Sequence, residues 1–186
     1  SHAAFYLAAG AIGRGEIRLT GLDPHSAQGD RAMVEILRDM GAEIRWEGET
    51  LVSCASKLHG LRVDCAQVPD LVPILAVAMA AAEGESRITG AARLRIKESD
   101  RLSAMAAALT AAGADVSELP DGLIIRGGKR LHAAKIEGCN DHRIVMAMTM
   151  ASEIADGELT ITDAEATAKS APAFWREFEH LGGLAR

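Results

Sequence analysis

The sequence predicts an α/β fold of three repeated helix–strand units with pseudo-threefold symmetry, the helices buried and the sheets outside. Three observations predict it. The near-copies GEIRLTG (15–21), GESRITG (84–90) and GELTITD (157–163) recur at a period of about 70 residues, too long for a common solenoid repeat. Each copy follows an alanine-rich apolar run. Each of them leads on to an amphipathic pattern that stops at glycine.

The elements follow in order. The runs AAFYLAAGAIGR (3–14), PDLVPILAVAMAAAE (69–83) and DHRIVMAMTMASEIAD (141–156) are apolar nearly all round. Helices of that kind are buried on every side. The three short copies alternate, Ile17 and Leu19 to one side and Arg18 to the other, so their sheets have one wet face. The patterns at 29–42, 99–114 and 171–183 are amphipathic, with Met33, Ile36, Leu37 and Met40 on one stripe and Leu102, Met105 and Leu109 on another. Gly41, Gly113 and Gly182 or Gly183 end them. Residues 42–54 and 114–127 read as hairpins. Buried helices within outer sheets invert the usual layering, and the all-round apolar runs require it. No linker or composition break divides residues 1–186, which read as one domain.

Bulk composition narrows the function. The chain has 186 residues, a net charge of −6 and 3% aromatic residues, which disfavours nucleic acid as a partner and base stacking as a binding mode. An anionic ligand must therefore be held by a local cluster. The longest apolar runs are too short to span a bilayer, so no membrane partner is expected. No positive n-region marks a signal peptide. Cys54, Cys65 and Cys139 lack metal-ligand spacing and read as buried or idle thiols of a cytoplasmic protein.

Charge is concentrated at predicted helix starts. Asp70 opens the second buried helix, Asp141-His142-Arg143 the third, and Lys97-Glu98-Ser99-Asp100-Arg101 the second amphipathic one. Helix N-termini carry free N–H groups and a positive dipole end. Lys97, Arg101 and Arg143 placed there make an anion site, since arginine grips carboxylate or phosphate through two parallel hydrogen bonds. Asp70, Ser99 and Asp141 are also good N-cap residues, and a cap can face a ligand as well. Arg93 and Arg95 alternate with Leu94 and Ile96, as on the wet face of a strand. Asp30-Arg31 echoes Asp100-Arg101 by repeat alone. The methionine-rich run after Asn140 reads as core.

VPD (68–70), KESDRL (97–102), NDHR (140–143) and TAKS (167–170), in this order, closely resemble the 5-enolpyruvylshikimate-3-phosphate (EPSP) synthase family, and SAQGD (26–30) fits it too. The resemblance covers essentially the whole chain. It implies a two-domain fold of which this chain is the second, C-terminal domain, with the first domain as its partner.

The resemblance further implies transfer of the carboxyvinyl group of phosphoenolpyruvate to the 5-hydroxyl of shikimate 3-phosphate with release of phosphate, a step toward aromatic amino acids. Asp70 is then the general base, Glu98 the proton carrier at C3, and Arg101 and Arg143 the grip on phosphoenolpyruvate. Lys169 approaches its phosphate and serves as an acid, Lys97 touches shikimate 3-phosphate, and His142 lines the site. No metal or organic cofactor is implied. The family's asparagine four residues before the lysine is Arg93 here, so that contact does not carry over. A UDP-N-acetylglucosamine enolpyruvyl transferase and a non-catalytic anion-binding repeat domain are the alternative readings. With one wall of the cleft supplied elsewhere, the 186 residues alone are expected to be inactive.

Overall fold

The computed structural model describes residues 2–23 and 31–186; SAQGD and Asp30 lie outside them. Three helices form the centre: α1 (Ala3–Ile12), α3 (Val72–Ala81) and α5 (His142–Met150). They touch one another, and α3 is buried at every position from Val72 to Ala80. An apolar helix has no other stable place, since each fully buried Leu, Ile or Met contributes about 1.5–3 kcal/mol relative to exposure. The three runs read as buried helices are therefore buried helices, and the methionines of α5 are core as expected.

Sheets flank this centre. β1 (Glu16–Leu19), β2 (Glu43–Glu47) and β3 (Thr50–Cys54) form an antiparallel sheet in the order β1-β3-β2. β4 (Arg62–Asp64), β5 (Gly84–Thr89), β6 (Asp115–Leu119) and β7 (Gly122–Gly127) form the second, with β4 parallel to β5 and the rest antiparallel. β8 (Leu131–Ile136) and β9 (Ala155–Ile161) pair in parallel. Outer faces are wet: Arg18 meets Glu16 and Glu47, and Arg126 meets Glu85 and Asp115. The element order recurs along the chain, but among the described residues the sheets have three, four and two strands, so the units are unequal.

The amphipathic helices α2 (Ala32–Asp39), α4 (Arg101–Ala111) and α6 (Phe174–His180) end alike. Gly41, Gly113 and Gly182 adopt φ of +98°, +90° and +95°. The next residue donates its amide to a carbonyl in the last turn: Ala42 to Leu37, Ala114 to Leu109 and Gly183 to Phe178, at 2.9, 2.9 and 3.0 Å. This is the Schellman stop that glycine permits.

Three local expectations fail. Residues Ala92–Ile96 are a 3₁₀ turn rather than a strand. Only Leu94 is buried there, and Ile96 is 88% exposed, so no two-faced pleat exists. Asp70 sits in a 3₁₀ turn, Pro69–Leu71, and caps nothing with its side chain. Asp100, not Ser99, caps α4, accepting from the Ser103 amide at 3.1 Å. Of the thiols, Cys65 is buried, Cys54 half-buried and Cys139 exposed. No helix among the described residues is long and apolar enough to cross a membrane.

Candidate active site

The site forms where the starts of α3, α4 and α5 meet. Asp141 is the N-cap of α5 and is fully buried. Its Oδ1 accepts the Arg143 amide at 2.9 Å and Arg101 Nη2 at 3.2 Å. Its Oδ2 accepts Arg101 Nε at 2.8 Å and the Ser99 hydroxyl at 2.9 Å. Burial by itself would raise the pKa of this carboxyl; the hydrogen bonds and charge of Arg101, with the Arg143 amide and Ser99, outweigh burial and hold it below the ordinary value.

The turn before Asp141 is unusual. Cys139 and Asn140 both have left-handed backbone, φ +55° and +49°, a conformation that costs energy for a residue other than glycine. The Asn140 amide is tied to Asp163 Oδ2 at 2.9 Å, and the Lys169 ammonium donates to the Asn140 carbonyl. Lys169, on the exposed surface after β9, thus borders the start of α5.

Arg101 joins the parts. Its side chain is only 3% exposed. Beyond Asp141, its Nη1 donates to Asp70 Oδ1 at 3.0 Å, and its Nη2 lies 3.7 Å from Glu98 Oε2. Asp70 also meets Arg143 Nη2 at 3.3 Å and Lys97 Nζ at 3.8 Å, while Arg143 Nη1 donates to the Asp70 carbonyl. Glu98 Oε2 meets His142 Nδ1 at 2.8 Å. Asp70, Lys97, Glu98, Arg101, His142 and Arg143 are therefore one connected cluster, with Lys169 at its margin.

The expected cation cluster is thus interleaved with carboxylates. Lys97, Arg101 and Arg143 face Asp70, Glu98 and Asp141, so opposite charges balance, while Lys169 donates to the Asn140 carbonyl. Arg101 and Asp141 are buried, whereas Asp70, Glu98 and Lys97 keep over a third of their side chains exposed. The Arg101–Asp141 pair anchors the cluster, and Arg101 Nη1 and Nη2 extend from it to the more exposed Asp70 and Glu98. Glu98, Asp141 and His142 place possible ligand atoms within 4.8 Å of one another. Both Asp141 oxygens are already taken by cationic or N–H donors, and the adjacent guanidinium repels a metal ion.

Two residues of the site take places other than those the sequence suggested. The Ser99 hydroxyl donates to Asp141 rather than capping a helix, and Arg95 bonds Asp100 and Glu118 rather than lining a strand. The short spacing from Arg95 to Asp100 was the available signal for the second.

Comparison with known proteins identifies the family. A family profile described as EPSP synthase (3-phosphoshikimate 1-carboxyvinyltransferase) matches residues 1–178. The chain belongs to the EPSP synthase family. A 3-phosphoshikimate 1-carboxyvinyltransferase of Clostridium novyi is 45% identical over 184 residues, covering 99% of this chain and 42% of that protein. One of Halobacterium salinarum is 46% identical over 190 residues, covering 99% and 43%.

The EPSP synthase structure from Acinetobacter baumannii superposes with a TM-score of 0.83 at 33% identity, covering 96% of this chain and 44% of that one. The enolpyruvyl transferase NikO of Streptomyces tendae shares the fold, with a TM-score of 0.81 at 19% identity. The chain therefore spans less than half the length of the EPSP synthases that it matches.

Proposed function

We propose that these residues form one wall of an active site that moves the carboxyvinyl group of phosphoenolpyruvate to the 5-hydroxyl of shikimate 3-phosphate. The chain then corresponds to the second domain of a two-domain cytoplasmic enolpyruvyl transferase, and the other domain supplies the facing wall. One observation carries this reading. Arg101 binds Asp70 and Asp141 and lies beside the Glu98–His142 pair, so base, proton carrier and cations share one centre.

The roles follow the family resemblance. As the 5-hydroxyl oxygen attacks C2 of phosphoenolpyruvate, Asp70 takes the hydroxyl proton and Glu98 gives a proton to C3. Glu98 then recovers a proton from C3 as the C2–O bond to phosphate breaks. Each such transfer is worth about 10²–10⁴-fold in rate. Arg101 and Arg143 hold the carboxylate and phosphate of phosphoenolpyruvate, and Lys169 meets the phosphate from the far side of the α5 start and protonates it on leaving. Lys97 binds shikimate 3-phosphate and His142 fixes Glu98. Fixed cations in a closed site stabilise the developing charge without reorganisation.

The test offers the acceptor as a choice. The chain is joined to the remaining length of an EPSP synthase relative and given phosphoenolpyruvate with either shikimate 3-phosphate or UDP-N-acetylglucosamine. Phosphate release with shikimate 3-phosphate alone supports the reading. Release with the nucleotide sugar alone, or with neither while both substrates bind, contradicts it.

A further inference from the structure

We propose that Arg95 is a positioning residue for this site: its side chain closes the loop that carries Lys97 and Glu98 and fixes that loop to the β6–β7 hairpin. The inference rests on the enolpyruvyl-transfer reading, and it adds a residue that touches none of the groups assigned to the chemistry.

The Arg95 side chain makes five hydrogen bonds. Its Nη1 reaches Asp100 Oδ2 at 2.9 Å, Glu118 Oε1 at 2.8 Å and, more distantly, the Ser103 hydroxyl at 3.4 Å. Its Nε donates to the Pro120 carbonyl at 2.8 Å and its Nη2 to the Leu119 carbonyl at 2.6 Å. One guanidinium thus ties together the 3₁₀ turn 92–96, the cap of α4 and the turn of the hairpin.

The loop between the two ends of this clamp is Ile96-Lys97-Glu98-Ser99. Its one apolar side chain, Ile96, is 88% exposed, so no packing holds it. Its other anchors are polar: Ser99 on Asp141 and Glu98 on His142. Asp100 matters twice. It accepts from Arg95, and it caps the helix whose first residue is Arg101. Arg95 therefore sets where Glu98 stands relative to His142 and Arg101. A planar fork with five N–H groups can serve two carbonyls and two carboxylates together; a lysine ammonium cannot. A displacement of about 1 Å at a reacting group is enough to cost on the order of 10²-fold in rate.

The experiment is a double-mutant cycle in the chain joined to the remaining length of an EPSP synthase relative, with Arg95→Ala, Glu98→Gln and both. Arg95→Ala is expected to lower kcat by about 10- to 100-fold, with KM for phosphoenolpyruvate changed by less than about threefold. The double variant is expected to be no slower than Glu98→Gln alone, because Arg95 acts through Glu98. In the 186-residue chain, the backbone order parameters of residues 97–99 fall below about 0.6 in Arg95→Ala while those of α3 and α5 stay near 0.85. Arg95→Lys carries the same measurements should the alanine variant not fold, and it is expected to recover only part of the loss.

Losses that multiply in the double variant overturn the proposal, as do unchanged kcat or order lost evenly along the chain. Glu98→Gln without effect on turnover overturns the proposed function itself, a result separate from the cycle.

Discussion

Arg101 and Asp141 meet along two parallel contacts, Nε to Oδ2 at 2.8 Å and Nη2 to Oδ1 at 3.2 Å, with both side chains out of water. A buried pair of this kind contributes little when replaced as a unit, but removing one partner strands a charge. Arg101→Ala and Asp141→Leu are each expected to destabilise the fold by about 3–5 kcal/mol in urea unfolding. A loss below about 1 kcal/mol in either would contradict the geometry.

The same pair sets an acid limit. The pKa of Asp141 is held below 3.8 in the folded state. A depressed carboxyl adds stability that is fully present above its unfolded value and is lost as pH falls through the folded value. The stability gap between the native chain and Asp141→Asn should therefore be flat above about pH 5 and should shrink below the 3.8 reference. Unfolding midpoints across that range check it; a gap that widens with acid would be the wrong sign.

Asp70 should behave oppositely to Asp141. Its side chain is 37% exposed, so its contacts with Lys97, Arg101 and Arg143 are screened and worth about 0–1 kcal/mol. Asp70→Asn is expected to leave the melting temperature nearly unchanged. In the chain joined to the rest of an EPSP synthase it should lower turnover by about 10²–10⁴-fold. Stopped assays beside calorimetry separate the two effects.

Gly10 lies in the middle of α1, where alanine would ordinarily favour the helix by about 1 kcal/mol. Here a Cβ would stand 2.7 Å from the Ser53 carbonyl oxygen and 2.9 Å from the Ser53 Cβ. The Ser53 hydroxyl also donates to the Leu7 carbonyl at 2.8 Å, which pins β3 to the helix. Gly10→Ala is expected to destabilise by about 1–3 kcal/mol, read as a lowered melting temperature.

Much of this architecture was legible in the chain. The run at 3–14 holds α1, Ala3–Ile12, and the glycines after α2, α4 and α6 take the left-handed stop that their position requires. Such features depend on neighbours in sequence. What escaped depends on distant ones. Alternation in RLRI mimics a strand, but Arg95 turns to the hairpin at residues 118–120 and the segment coils into a 3₁₀ turn.

Asp70 has the residue type and place of a cap, yet three cations from two other helix starts claim its carboxylate. The motif residues were found by resemblance. That Arg101 and Asp141 hold each other across 40 positions of sequence was not. Lys97, Arg101 and Arg143 suggested an anion site, and folding sets Asp70, Glu98 and Asp141 directly against them.

The central claim is that the 186-residue chain holds one wall of the site and needs the other. Phosphate release from phosphoenolpyruvate and shikimate 3-phosphate tests it most directly. It should be measured for the 186-residue chain alone, for the chain joined to the remaining length of an EPSP synthase relative, and for that joined protein with Glu98→Gln. Turnover only in the joined protein, sharply reduced by the substitution, is the predicted result. Turnover by the chain alone, or a joined protein that is indifferent to Glu98→Gln, would contradict the account.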